Sequence, residues 1–273
     1  MTKFQSSSEQ LLFELQDRVA VITLNRPEAR NALADPLTTN FRAALAWCAE
    51  ADEVGAVLIT GAGSAFCAGG DVKAMGQRNK SADAKPSLHQ QFNDLRQRHH
   101  EIGGALTAMR KPTIAALPGA AAGAGMAIAL ACDLRIGSEN AFLSTGYARI
   151  GLSGDYGIAW LLTRVVGPAK AREFMLTCER INAEQALNVG LLNRMSSADQ
   201  LHDDALAWAR SMANGPQIAY GYIKDNLDEA LYIDHATAID HEADRLMKCR
   251  GTLDHREAVE AFAEKRAPEF GGH

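Results

Sequence analysis

From Pro112 to Cys132 the chain carries no charged side chain, and this stretch constrains the fold more than any other because it has to be buried whole. About 20 apolar residues suffice for a membrane-crossing helix. Here, however, most of the apolar content is alanine, and Pro118, Gly119, Gly123 and Gly125 interrupt it. Proline fixes φ and removes a donor, while glycine opens positive φ. The pattern therefore predicts a buried strand over 113–117, a turn, and a small-residue helix over 124–131. We read the segment as the core of an α/β domain and expect no membrane span.

The flanking sequence supplies what such a core needs. Apolar runs at 11–15 and 19–24, separated by Gln16, Asp17 and Arg18, read as a hairpin, and Asn25-Arg26-Pro27 as a turn. Leu37, Phe41, Leu45 and Cys48 recur at one-face helical spacing behind Asp35, placed to cap a helix over 36–50. Strands are expected at 56–60 and 134–137, and a further helix over 156–166. Strands alternating with helices imply βαβ units and an α/β fold. The polar segment 74–111, with His89, His99 and His100, reads as a lid or loop followed by a helix. Beyond Pro168 only helices are expected, punctuated by Gly190, Gly215 and Gly251. The division that follows is a core over 1–195 and a helical region over 196–273.

Charge narrows the function classes. The formal net charge is -5 and there is no long basic run, so the phosphate-neutralising stripe of a nucleic-acid binder is missing. Five scattered cysteines, an odd number, fit reduced thiols in a cytoplasmic protein better than bridges or zinc knuckles. The polar N-terminus shows no signal or transit pattern. No metal site is expected.

Two glycine-rich segments could carry chemistry. Gly61-Ala62-Gly63-Ser64-Ala65-Phe66-Cys67-Ala68-Gly69-Gly70-Asp71 follows the strand ending at Thr60, where glycine lets backbone N–H groups approach a ligand. No Lys-Ser or Lys-Thr follows, so it is not a nucleotide-phosphate loop. Gly119-Ala120-Ala121-Ala122-Gly123-Ala124-Gly125-Met126 leads from strand into helix, and free N–H groups at a helix start favour a negative oxygen. Taken singly, a tight turn explains the first segment about as well, and close packing explains the second better.

Together, and with Leu24-Asn25-Arg26-Pro27-Glu28-Ala29-Arg30-Asn31-Ala32-Leu33, Cys132-Asp133-Leu134-Arg135-Ile136 and Ala261-Phe262-Ala263-Glu264-Lys265-Arg266, these segments resemble the crotonase (enoyl-CoA hydratase/isomerase) superfamily over most of the chain. The resemblance implies a crotonase-type ββα superhelix core, holding the acyl-CoA site, and a C-terminal all-helical trimerisation region. It implies an oxyanion hole from the N–H groups of Ala68 and Ala124, holding a thioester enolate. It also implies coenzyme A contacts from Arg26, Ala29 and the rest of the loop to Asn31, and from Gly70, Asp71, Val72 and Lys73. Phe262 and Lys265 would reach coenzyme A from a neighbouring subunit of a homotrimer or hexamer. No separate cofactor is implied, because coenzyme A is part of the substrate. On the residues alone, Asp71 is equally a turn residue and Lys265 a solvated charge.

Against the hydratase pattern, both of the family's catalytic glutamates are replaced. Ala127 occupies the first position and Tyr147, grouped with the substrate-binding residues, the second. One acid remains nearby, Asp155, which resembles in position the aspartate of the isomerase branches and the nucleophile of an aryl-CoA dehalogenase branch. The alternative is a cap on the helix beginning at Tyr156. One carboxylate suffices to move a proton between two carbons, so double-bond isomerisation through Asp155 is the expected reaction. The alternatives are single-acid hydration, dehalogenation supported by His89, His99 or His100, and a non-catalytic acyl-CoA-binding protein.

Overall fold

The computed structural model describes residues 4–72 and 86–272. Strands β1 (Leu11–Gln16) and β2 (Val19–Leu24) form the hairpin, turning at Asp17 and Arg18, both at positive φ (47° and 66°), as two-residue hairpin loops favour. A 3-10 turn, Pro27–Ala29, leads to α1 (Leu37–Glu50) and then to β3 (Ala56–Gly61) and β4 (Ala65–Cys67). After α2 (Leu88–His99), a π-helical turn at His100–Gly104 and the short α3 (Ala105–Ala108), the chain runs through β5 (Thr113–Leu117), β6 (Ala120–Ala122) and α4 (Ala124–Ala131). It continues through β7 (Leu134–Ser138), β8 (Phe142–Ser144) and α5 (Ile158–Thr177).

With β9 (Ile181–Asn182) and β10 (Arg194–Ser196) further on, the pairs β3/β4, β5/β6 and β7/β8 each place one strand in a six-stranded sheet, ordered β1-β2-β3-β5-β7-β10, and the next in a four-stranded sheet, ordered β4-β6-β8-β9. From β2 to β10 the larger sheet is parallel. Helices cover both faces of parallel sheets, which explains why β5 is buried at all five positions and why all eight residues of α4 are buried. The uncharged segment is thus two strands and a helix inside the core, the expected turn being corrected by β6, whose three residues are too few to show a pattern.

Helix α7 (Leu201–Ala213) closes the outer face of the larger sheet, setting Ala205, Leu206, Trp208 and Ala209 against Val21, Leu58 and Ile114. Helices α8 (Gln217–Glu229), α9 (His235–Arg250) and α10 (Leu253–Glu264) follow. The expectation of helices alone beyond Pro168 is corrected by β9 (Ile181–Asn182) and β10 (Arg194–Ser196), which flank α6 (Ala183–Asn188). Strands this short carry no readable alternation. Helix α5 is also longer than expected, since it resumes beyond Gly167, which breaks helical geometry at φ 76° just before Pro168. Among the described residues no helix is long and apolar enough to cross a membrane.

Candidate active site

The two glycine-rich segments meet because side chains are missing where they touch. A Cβ on Gly125 would stand 2.1 Å from the carbonyl oxygen of Cys67, and one on Gly119 would stand 2.1 Å from that of Ser64. Gly69, at φ 92°, brings the first loop so close to α4 that a Cβ there would lie 3.3 Å from the amide nitrogen of Ala124. Glycine is required at these contacts for close approach. The result is a cavity of about 120 Å³ at the start of α4, whose walls include Gly70, Ala124, Asp155, Tyr156 and His99.

Here the structure corrects one sequence expectation. The N–H of Ala68 donates to the carbonyl of Arg30 at 2.9 Å, so it is committed within the protein and cannot receive a ligand oxygen without breaking that bond. Ala68 is also not part of the cavity wall, whereas Gly70, two residues on, is. Gly69 accepts from Leu33 at 2.7 Å and Asp71 donates to Leu33 at 3.3 Å, which leaves the intervening Gly70 N–H without a bond to any described residue. The Ala124 N–H, in the first turn of α4, is likewise unclaimed. Both residues line one space, and the Ala124 N–H lies at the positive end of the α4 dipole.

The loop from Arg26 to Asn31 acts as a clamp. Asn31 is fully buried; its side-chain amide donates to the carbonyls of Ala62 (2.9 Å) and Ala65 (2.7 Å), and its oxygen accepts from the Arg26 N–H at 2.8 Å. The Arg26 guanidinium donates to Ala32 (2.7 Å) and faces Asp71 at 3.4 Å. Arg26 and Asp71, both expected at coenzyme A, therefore hold each other, and Asp71 also reaches the cavity wall. Ala29 is half-buried in the 3-10 turn and Val72 is exposed outside the cavity. Lys73 lies outside the described residues. Phe262 and Lys265 sit on α10 and its C-cap, exposed and away from the cavity walls of their own protomer.

Asp155 is not a helix cap. The α5 N-cap is Gly157 and makes no side-chain cap bond. The Asp155 carboxylate instead accepts a short hydrogen bond from the Tyr147 hydroxyl. Burial pushes the Asp155 carboxyl above its ordinary range and the Tyr147 bond opposes this. Burial, with the neighbouring carboxylate, pushes the phenol of Tyr147 up as well, so Tyr147 remains a donor. It stands behind Asp155 rather than in the wall. Ala127 is fully buried in α4 and brings no acid to the site.

Two further groups line the cavity: Asp35, expected only as a helix cap, and His99, offered only in support of dehalogenation. Asp35 accepts from the hydroxyls of Thr38 and Thr39 rather than capping α1 through a backbone bond, and those hydrogen bonds hold its carboxyl below the usual range. His99, of the three histidines considered, lies in the wall, its ring 4.3 Å from that of Tyr156 and its Nε2 buried with no hydrogen-bond partner among the described residues. Burial pushes its imidazole down, toward the neutral form. His89 is on the exposed face of α2, against Asn93. The Cys67 thiol, beneath the loop, is pushed up to about 12 by burial and is chemically quiet.

Comparison with known proteins places this geometry. The family model described as enoyl-CoA hydratase/isomerase matches residues 14–273. A 1,2-epoxyphenylacetyl-CoA isomerase from Escherichia coli (strain K12) is 33% identical over 266 residues, covering 97% of this chain and 99% of that protein. A short-chain-enoyl-CoA hydratase from Clostridium acetobutylicum is 32% identical, covering 95% and 96%. The crystal structure of a putative enoyl-CoA hydratase from Streptomyces coelicolor A3(2) superposes with a TM-score of 0.89 at 32% identity, with both chains covered in full.

Proposed function

The chain belongs to the enoyl-CoA hydratase/isomerase family, and from that premise we propose that it shifts a double bond within an acyl-CoA thioester, with Asp155 as the acid–base and the N–H groups of Gly70 and Ala124 as the oxyanion hole. The observation that carries this reading is the half-buried Asp155 carboxylate in the same small cavity as two backbone N–H groups with no bond to a described residue, the other acids there being engaged by Thr38 and Thr39 (Asp35) and by Arg26 (Asp71). The Asp155 carboxylate takes a proton from the α-carbon. The C–H electron pair moves into the thioester, placing negative charge on its oxygen between the two N–H groups. The dienolate then takes the proton back at the γ-carbon, leaving the double bond between the α- and β-carbons. Mass and charge balance with no further reagent, and coenzyme A enters only as part of the substrate.

Two fixed dipoles aimed at the developing oxyanion stabilise it without reorganisation, each worth about 100- to 1000-fold in rate. Tyr147 fits as a positioning residue: its hydroxyl orients the Asp155 carboxylate and keeps part of its charge satisfied. Hydration is the second reading, favoured by the hydratases among the relatives. It needs a group to orient water, and the two positions expected to supply one hold a phenol and a core methyl. An enoyl-CoA panel read by mass spectrometry separates the two, since hydration adds a water and isomerisation leaves mass unchanged. Asp155→Asn should lower isomerisation by about 100- to 10,000-fold. Turnover unchanged by this substitution, with coenzyme A binding intact, would overturn the role of Asp155, and binding without turnover of any enoyl-CoA by the unsubstituted chain would make the protein a non-catalytic acyl-CoA binder.

The assembly is proposed as a homotrimer or a dimer of trimers. Supporting it, Leu246, Met247, Leu253, Val259 and Phe262 on α9 and α10 are exposed, Phe262 at 87%, which is unusual for a protomer acting alone. Phe262 and Lys265 would then border a neighbour's coenzyme A. Light scattering of the purified chain measures the copy number. The five free cysteines support a cytoplasmic, reducing setting.

A further inference from the structure

Next to the cavity at Asp155 lies a second, larger chamber of about 510 Å³, and the two spaces share Leu95, His99 and Tyr156 in their walls. We propose that this chamber binds an aromatic acyl group, so that the preferred substrates are aryl-substituted acyl-CoA thioesters. The inference rests on the isomerase reading only for where the thioester carbonyl sits.

Flat side chains form the walls. The His99 and Tyr156 rings pack at 4.3 Å on one side, Phe92 stands on α2, and Trp160 stands on α5. Phe92, Leu95 and Trp160 are all exposed in the protomer, yet they converge on one space, the mark of a ligand surface rather than of scattered surface residues. Trp160 is held rigidly: the Arg164 guanidinium lies 3.4 Å from its ring centroid, and Arg164 donates to the Tyr232 hydroxyl. The floor is nearly free of side chains, being made of Gly103, Gly104 and Gly157, and the one hydroxyl there, on Thr107, is already donated to the carbonyls of Gly103 and Gly104. The chamber is half-open and also lined by Arg96 and His100, but its surface is mostly apolar, and ring faces on several sides favour offset or edge-on contact with another ring.

Size points the same way. An apolar cavity of about 150 Å³ accommodates benzene, so the inner space of about 120 Å³ suits the reacting carbons and the chamber beyond has room for a ring. A four-carbon acyl group would leave it empty. Gly104 offers a clean way to fill it. A Cβ there meets nothing closer than His100 at 3.5 Å, an ordinary contact. A Cβ on Gly103 would stand 3.0 Å from the Tyr156 carbonyl oxygen and Gly157 has φ 79°, so substitution at the first would crowd the backbone and at the second would strain it.

The test uses two readouts on the full chain. In calorimetric titration, phenylacetyl-CoA should bind at least about tenfold more tightly than butyryl-CoA, the discrimination expected of a fitted apolar pocket, and Gly104→Leu should remove that advantage while butyryl-CoA binding stays within about twofold. In turnover, styrylacetyl-CoA should exceed vinylacetyl-CoA in kcat/KM, and Gly104→Leu should reverse the order. Tighter binding of decanoyl-CoA than of phenylacetyl-CoA overturns the proposal, as does an aryl advantage that survives Gly104→Leu. If neither thioester isomerises, the reaction reading fails while the titration still decides the acyl class. Isomerisation of vinylacetyl-CoA with no aryl preference in binding sinks the aryl chamber alone.

Discussion

Replacing a single backbone amide by an ester deletes one N–H and leaves the side chain alone, and it separates Gly70 from Ala68 as the donor. Incorporating glycolic acid at position 70 removes the unclaimed N–H in the cavity wall. If that N–H holds the enolate oxygen, kcat falls by about 100- to 1000-fold, or about 2.7–4 kcal/mol of transition-state stabilisation. Lactic acid at position 68 instead removes the bond to the Arg30 carbonyl at 2.9 Å. That loss costs stability, about 0.5–1.5 kcal/mol, and lowers Tm by about 2–4 °C for each kcal/mol in a chain of this size, with turnover nearly intact. The ester at position 70 also weakens the Gly69 carbonyl as an acceptor for Leu33, a bond of 2.7 Å, so thermal denaturation of both variants accompanies single-turnover kinetics. A large loss of kcat at position 68 with little at position 70 would refute the assignment.

Other perturbations follow from the same geometry. Asp155→Asn should stabilise the fold at neutral pH. A carboxyl raised on folding favours its protonated form there, so its stabilising contribution is present below the unfolded pKa and lost as pH rises through the folded one; the Tm gain should vanish in acid, and a variant less stable at pH 7 refutes the sign. Tyr147→Phe removes the bond that holds the Asp155 carboxyl down, so the acidic limb of the kcat/KM profile should move to higher pH; an unmoved limb would mean that Tyr147 only packs. Asn31→Ala leaves the carbonyls of Ala62 and Ala65 without their donor and should cost about 1–3 kcal/mol or more in urea denaturation. Gly125→Ala forces a Cβ onto the Cys67 carbonyl at 2.1 Å and should cost more than Gly104→Ala, where the neighbours stand off.

The sequence made the core readable because β5 and α4 are uniform in composition and bounded by glycine and proline, and the structure starts and stops them as that pattern expects. Hydrophobic periodicity could not reveal β9 and β10, which are too short to show a period. At the cavity, Asp155 and Ala124 were singled out by their positions in the family resemblance, and the structure sets both in one wall. The choice of Ala68 over Gly70 has a physical cause: all three amides from Ala68 to Gly70 belong to the same turn, and only folding shows that Arg30 takes the Ala68 N–H and the Cys67 sulfur the Gly69 N–H. His99 was named without a site because its place depends on how α2, which follows a polar segment, lies against Tyr156.

The contacts of Gly69, Gly119 and Gly125 have a consequence for how such a protein changes over time. On the proposed reading they fix the oxygen-binding half of the site in the main chain, where ordinary substitutions cannot remove an N–H group, while proton transfer is left to exchangeable side chains at positions such as 127, 147 and 155. A lineage built this way can lose one acid and gain another without surrendering its grip on the shared intermediate. Reaction type can then drift on a constant scaffold, and divergence should be sought in those three side chains before it is sought in the loops that hold the oxygen.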